Sequence, residues 1–147
     1  GSTPPSTLRS TQTLTGDLNF PTDAAFNSFF GINQTQPPFS SDQFTAVFFG
    51  TLSVNTAGQY SFAATGNDDR ADVWLDLNQN NTFEANELLQ SVGNGNTLMA
   101  TTNLAAGSYR IAYALEDGGG GSALVGRIFG PASVAPTNGT VAPIANP

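Results

Sequence analysis

Asp68, Asp69, Asp72, Asp76, Glu84 and Glu87 crowd into positions 68–87 with Arg70 as the one cation among them, and they make up more than half of the 11 acidic residues in the chain. Carboxylates packed this closely repel one another and hold on to protons unless something neutralises them. One Arg cannot balance six, and a hard cation such as calcium, which is bound through oxygen, can. Within the cluster, residues 76–87 (DLNQNNTFEANE) have the 12-residue spacing of a calcium loop. Oxygen side chains stand at positions one, three and five (Asp76, Asn78, Asn80), a free carbonyl at seven (Thr82) and Glu87 at twelve; Glu84 is counted with these ligands. Asn81 stands where the pattern wants Gly, and Asn accepts the left-handed backbone there better than other side chains do. Phe83 supplies the apolar residue such loops carry. Asn in place of Asp at two ligand positions lowers the ligand charge and predicts modest affinity. The other reading of the same residues is a solvated, Asn-rich hairpin loop.

Composition removes most other chemistry. The net charge of -7, with four cationic residues, all Arg, excludes nucleic acid and anionic membrane as partners, because both need cationic surface. With no His and no Cys, zinc sites, thiol nucleophiles, disulfides and Ser-His-Asp catalysis are excluded as well. Paired carboxylates acting as acid and base in glycoside hydrolysis remain conceivable. A chain this small offers little cleft, however, and calcium would keep the same carboxylates ionised, so no enzymatic activity is expected. A weak calcium site would stay empty in the cytosol, which points to a secreted or cell-surface setting. No apolar run reaches membrane-spanning length and no signal peptide is visible; Gly1-Ser2 reads as a cloning scar, so a signal could have been cut away.

The elements that must position these groups read as strands. At 147 residues the chain suits one core. Residues 1–10 and 131–147 are rich in Pro, Ser, Thr and Ala without periodicity, and are expected to be linker flanking a domain at 11–130, a monomeric module of a longer chain. In residues 44–54, Phe44, Ala46, Phe48, Leu52 and Val54 share one face while Val47 and Phe49 put apolar groups on the other, which predicts a buried strand. Ala57-Gly58 turns the chain into 59–65, the second arm of a hairpin. Further strands are predicted at 71–75, 88–92, 98–103, 108–116 and 123–129, and one near 11–18. Residues 20–39 are Phe-rich and irregular, broken by Pro37-Pro38, with one or two helical turns at 23–30 capped by Asp23. The sum is an all-β, antiparallel β-sandwich with long loops and at most one short helix. Trp74, between Val73 and Leu75, is expected in the core, and the 11 Phe are expected to be mostly packing rather than a binding stripe.

Phe49-Gly50-Thr51-Leu52-Ser53-Val54, Ala57-Gly58-Gln59-Tyr60-Ser61-Phe62, Gly66-Asn67-Asp68-Asp69, Val73-Trp74-Leu75-Asp76 and Leu104-Ala105-Ala106-Gly107-Ser108-Tyr109-Arg110-Ile111 resemble, in order and spacing, the PA14 domain family. The resemblance covers roughly residues 44–129. It implies a β-sandwich of a bacterial toxin, glycosidase or surface adhesin. In the adhesin members an adjacent Asp pair holds a calcium ion that ligates sugar hydroxyls, which here implies Asp68 and Asp69. The family's second loop matches residues 116–122, so the implied sugar contacts are Asp68, Asp69, Arg70, Glu116, Asp117, Gly118 and Gly119, with Asp117 also a metal ligand. Four consecutive Gly in that loop let the backbone approach an ion or a sugar. Asp68 and Asp69 could equally be a turn accepting local backbone bonds. Arg70 could donate to a sugar, and bridging its acidic neighbours is the simpler expectation. The functional expectation is a calcium-dependent glycan-binding module with one or two calcium ions; the alternative is a calcium-stabilised structural module. Where most family members place a short Asp-Gly turn, this chain has the 76–87 loop. The two acidic halves should therefore lie at opposite ends of the strand holding Trp74.

Overall fold

The computed structural model describes residues 10–34 and 43–131. All but the inner residue of each expected linker, 1–10 and 131–147, and the break at Pro37-Pro38 lie outside the described residues. In chain order the elements are β1 (Asn19–Phe20), α1 (Asp23–Phe30), β2 (Phe44–Val54), β3 (Gly58–Asp68), β4 (Arg70–Leu75), a 3-10 turn (Ala85–Glu87), β5 (Leu88–Val92), β6 (Leu98–Leu104), β7 (Gly107–Asp117) and β8 (Ala123–Phe129). They form two four-stranded antiparallel sheets, ordered β1-β8-β3-β6 and β2-β7-β4-β5. The molecule is an all-β sandwich.

Alternation in the sequence becomes the two faces of each sheet. Ala71, Val73 and Leu75 of β4 and Tyr109, Ile111, Tyr113 and Leu115 of β7 point inward, against Phe62, Ala64, Leu98 and Leu124 of the other sheet. Burying side chains of this size contributes about 1.5–3 kcal/mol each. Next to this core lies a Phe cluster. Phe26 of α1 is fully buried, Phe20 stacks on it at 4.9 Å, and Phe48 of β2 stacks on Phe20 at 5.0 Å. Thr22 starts the helix by accepting a bond from the Ala25 amide, and Gly31 ends it in the left-handed conformation. The cap is thus one residue before Asp23, which leaves the Asp23 carboxylate free for another task.

Three further expectations are corrected. Residues 11–18 form no strand, and only Asn19–Phe20 pair with β8, because Leu18 is spent on packing beside Gly126. β2 is a sheet edge rather than a doubly buried strand, with Val47 39% and Phe49 64% exposed. Trp74 is half-buried on the outer face, in phase with Arg70 and Asp72, because Ala71, Val73 and Leu75 occupy the inward phase.

Candidate functional site

Two chain crossings between the sheets meet at one end of the sandwich. β3 ends at Asp68 in one sheet and β4 begins at Arg70 in the other, so Asp68 and Asp69 span the gap; the peptide between them is cis. Residues 118–122 make the return crossing from Asp117 to Ala123. The two crossings touch. The Gly118 amide donates to Asp69 Oδ2 at 2.7 Å, and Asn94, in the β5–β6 turn, donates to Asp69 Oδ1 at 2.9 Å. A Cβ on Gly118 would stand 2.9 Å from Asp69 Oδ2, and one on Gly121 would stand 3.2 Å from Asp68 Oδ2. The glycine run is what allows the loop to close onto the aspartates.

Asp117 sits behind them, 3% exposed, and among the described residues neither carboxylate oxygen has a hydrogen-bond partner. Burial first, then the negative charge of Asp69, pushes its carboxyl up to about 7; the Gly119 amide opposes this from outside hydrogen-bonding geometry. The carboxyl of Asp68 is also raised, by burial first, then by its hydrogen bond to Asp69 and that residue's charge. Both groups are short of positive charge.

Several supporting residues had no signal in the sequence. Asp23 lies close enough to raise Asp68 and Asp117, and its Oδ1 accepts from the Ser122 hydroxyl at 2.8 Å and from the Ser122 amide at 2.5 Å. The Ser122 hydroxyl also reaches Gln34 Oε1 at 3.2 Å. The helix start thereby fixes the far end of the glycine loop. Buried Asn67 donates to the carbonyls of Asp69 and Gly93 at 3.1 and 2.9 Å, tying the aspartates to the β5–β6 turn, and its own Oδ1 has no partner among the described residues. Arg70 donates twice to Asp72, each bond 3.1 Å, and reaches Glu116 at 3.6 Å, so it bridges its acidic neighbours.

Residues 76–87 stand at the other end of β4, as the strand order required. The Asp76 carboxylate accepts from the Asn80 and Asn81 amides at 3.0 and 2.7 Å, and Glu87 accepts from the Asn78 and Glu84 amides at 3.2 and 3.1 Å. Asn78 and Asn80 accept from the Asn80 and Thr82 amides, and both donate to Glu84 at 3.0 Å. Asn81 has φ 66°, the left-handed turn expected at the sixth position. Arg110 pins the loop by donating to the Asn81 carbonyl and lying 5.5 Å over the Phe83 ring. Among the described residues no three acidic side chains are gathered closely enough to form a ready-made metal cage.

No protein-family model matches the chain, and no curated protein matches it. Among solved structures the fold is similar to part of the GH31 alpha-xylosidase from Xanthomonas citri, with a TM-score of 0.49 and 13% identity over 76% of this chain and 11% of that one. The chain therefore spans about a tenth of that enzyme's length.

Proposed function

We propose that the protein is a non-catalytic, calcium-dependent glycan-binding module, in which Asp68, Asp69 and Asp117, not gathered into a cage beforehand, draw together around the ion as it binds. The observation that carries this reading is the Asp117 carboxylate, buried beside Asp69 with neither oxygen hydrogen-bonded among the described residues. A buried charge left alone costs several kcal/mol, whereas a divalent cation would convert the same group into a ligand. The resemblance of the Asp68-Asp69 stretch to the PA14 adhesins points the same way. Calcium takes up to eight oxygens, so it can keep protein ligands and still accept two vicinal hydroxyls of a sugar. The chain's part is to hold Asp69 in place through the Gly118 and Asn94 bonds, and to bring backbone close to the ligand along residues 118–121. Modest affinity of this kind suits a secreted or cell-surface module within a longer chain. No helix among the described residues is long and apolar enough to cross a membrane.

The loop at 76–87 supports a second, structural cation. Its support is the left-handed Asn81 together with the two backbone amides that orient Asp76. Calorimetry with calcium, then with a neutral-glycan panel, tests both readings. Expected are the loss of one calcium ion per chain in Asp69→Asn and in Asp117→Asn, the 76–87 ion remaining, and sugar binding abolished by chelator. Sugar binding that survives chelation refutes the bridging role. Calcium binding that is undiminished by both substitutions but is lost in Asp76→Ala leaves only the structural ion.

A further inference from the structure

The outward faces of β2, β7 and β4 line up in rows. Phe49 pairs with Ala112, and Ala112 with Trp74; Val47 pairs with Ala114, and Ala114 with Asp72; Thr45 pairs with Glu116, and Glu116 with Arg70. The central strand thus presents its smallest side chains between larger neighbours, which makes a trough. Phe83 from the 76–87 loop closes one end of it. Its ring lies 6.2 Å from Phe49, nearly parallel at 24°, and 6.5 Å edge-on from Trp74, so it roofs Ala112, which is 3% exposed. Ala114 is half-buried rather than covered. Its surroundings are amphipathic: Val47 and the aromatic wall on one side, and the Asp72–Arg70 pair with Ser91, to which Arg70 donates at 3.0 Å, on the other.

We infer that this trough is a second glycan subsite, floored by Ala114, in which a pyranose ring lays its apolar face against Phe49 and turns its hydroxyls to the accessible Arg70 and Glu116, while buried Asp72 holds the Arg70 guanidinium in place. The inference takes its ligand class from the glycan reading above, but it uses no residue of the Asp68–Asp69–Asp117 cluster. A sugar ring has the required chemistry, with C–H faces for an aromatic and a rim of hydroxyls for charged groups. The polar wall is internally paired, Arg70 with Asp72 and Glu116, which suits a neutral ligand better than an ion. Size argues the same way. Two strand spacings by four residues give a patch on the order of 130 Å². A stable protein partner needs roughly 800 Å² from each side. The trough also ends at Arg70 and Glu116, the immediate chain neighbours of Asp69 and Asp117. A glycan held at the sandwich end could therefore continue along the sheet.

The test is an array of neutral glycans from one to six sugar units, followed by titration of the best ligand and of its terminal monosaccharide, with calcium and with chelator. Wild type, Phe49→Ala and Ala114→Leu are compared, each checked for an unchanged melting temperature. Loss of the aromatic contact is expected to weaken the longer ligand by about threefold to tenfold and to leave the monosaccharide unaffected. Ala114→Leu, which fills the floor without touching the ring, is expected to do the same. If both variants bind the longer ligand like wild type, the subsite is refuted while the calcium reading stands. If they weaken binding that is indifferent to chelator, the subsite stands and the calcium bridge falls. No glycan binding by wild type, or a dimer that Phe49→Ala dissolves, overturns the inference.

Discussion

Asp117→Asn isolates the buried charge behind the glycine loop. With the carboxyl at about 7 in the folded chain against an ordinary 3.8, the folded state keeps a proton that the unfolded state has lost throughout that interval. Stability should therefore fall as pH rises from 3.8 to about 7 and level off above it. Three pH units at 1.36 kcal/mol each give about 4 kcal/mol, an upper figure because solvent penetration screens the group. For a chain of this size that corresponds to roughly 8–16 °C in melting temperature. The assay is urea unfolding of wild type and Asp117→Asn between pH 4 and pH 8 in chelator, where other carboxylates contribute nearly equally to both and cancel. The wild type should lose stability relative to the variant across that range, by at most about 4 kcal/mol. Calcium at a hundred times the dissociation constant of the Asp117 site should then restore about 2.7 kcal/mol more to the wild type than to the variant, which keeps only the 76–87 loop. Parallel pH curves in chelator would refute the reasoning, because the carboxylate could not then be buried and unpaired.

Gly118→Ala places a Cβ 2.9 Å from Asp69 Oδ2 and should weaken calcium binding by about tenfold with little loss of stability, on the scale of one charge-assisted bond; calorimetry and melting checks it. Asp76→Ala strands the Asn81 amide, while the Asn80 amide keeps Asn78 Oδ1, and should cost about 1–3 kcal/mol even in chelator; unchanged urea unfolding would remove the loop's bracing role. Phe62→Ala, at a fully buried position between the sheets, should cost about 3–5 kcal/mol in the same measurement.

The strands were legible because apolar and polar residues alternate through β2, β3 and β7, and a period of two has one structural meaning. The pairing of Asp68 and Asp69 with residues 116–122 was legible only through the family resemblance, since nothing local joins segments 49 residues apart. Gln34 carried no signal at all, and nothing joined Asp23 to Ser122: an Asp at a helix start looks like helix chemistry until the sandwich brings Ser122 against it. Trp74 was misplaced for a different reason. Its parity with Arg70 and Asp72 was readable, but its apolar neighbours Val73 and Leu75 outweighed it. Burial is decided by phase, not by neighbours. The same holds for Phe49, one of many Phe in the chain and the most exposed large apolar side chain among the described residues.

The Ser122 hydroxyl meets a carboxylate 99 residues earlier in the chain, and the Gly118 amide meets one 49 residues earlier. Contacts so distant in sequence close late during folding, after the strands between them have paired. The cluster at the sandwich end is accordingly a product of the finished fold, and no excised hairpin of this chain should carry it. Whatever binds there stabilises only the completed native state, and so slows unfolding rather than hastening assembly. In the secreted or cell-surface setting proposed above, where no chaperone would refold it, the ligand would double as a brake on unfolding.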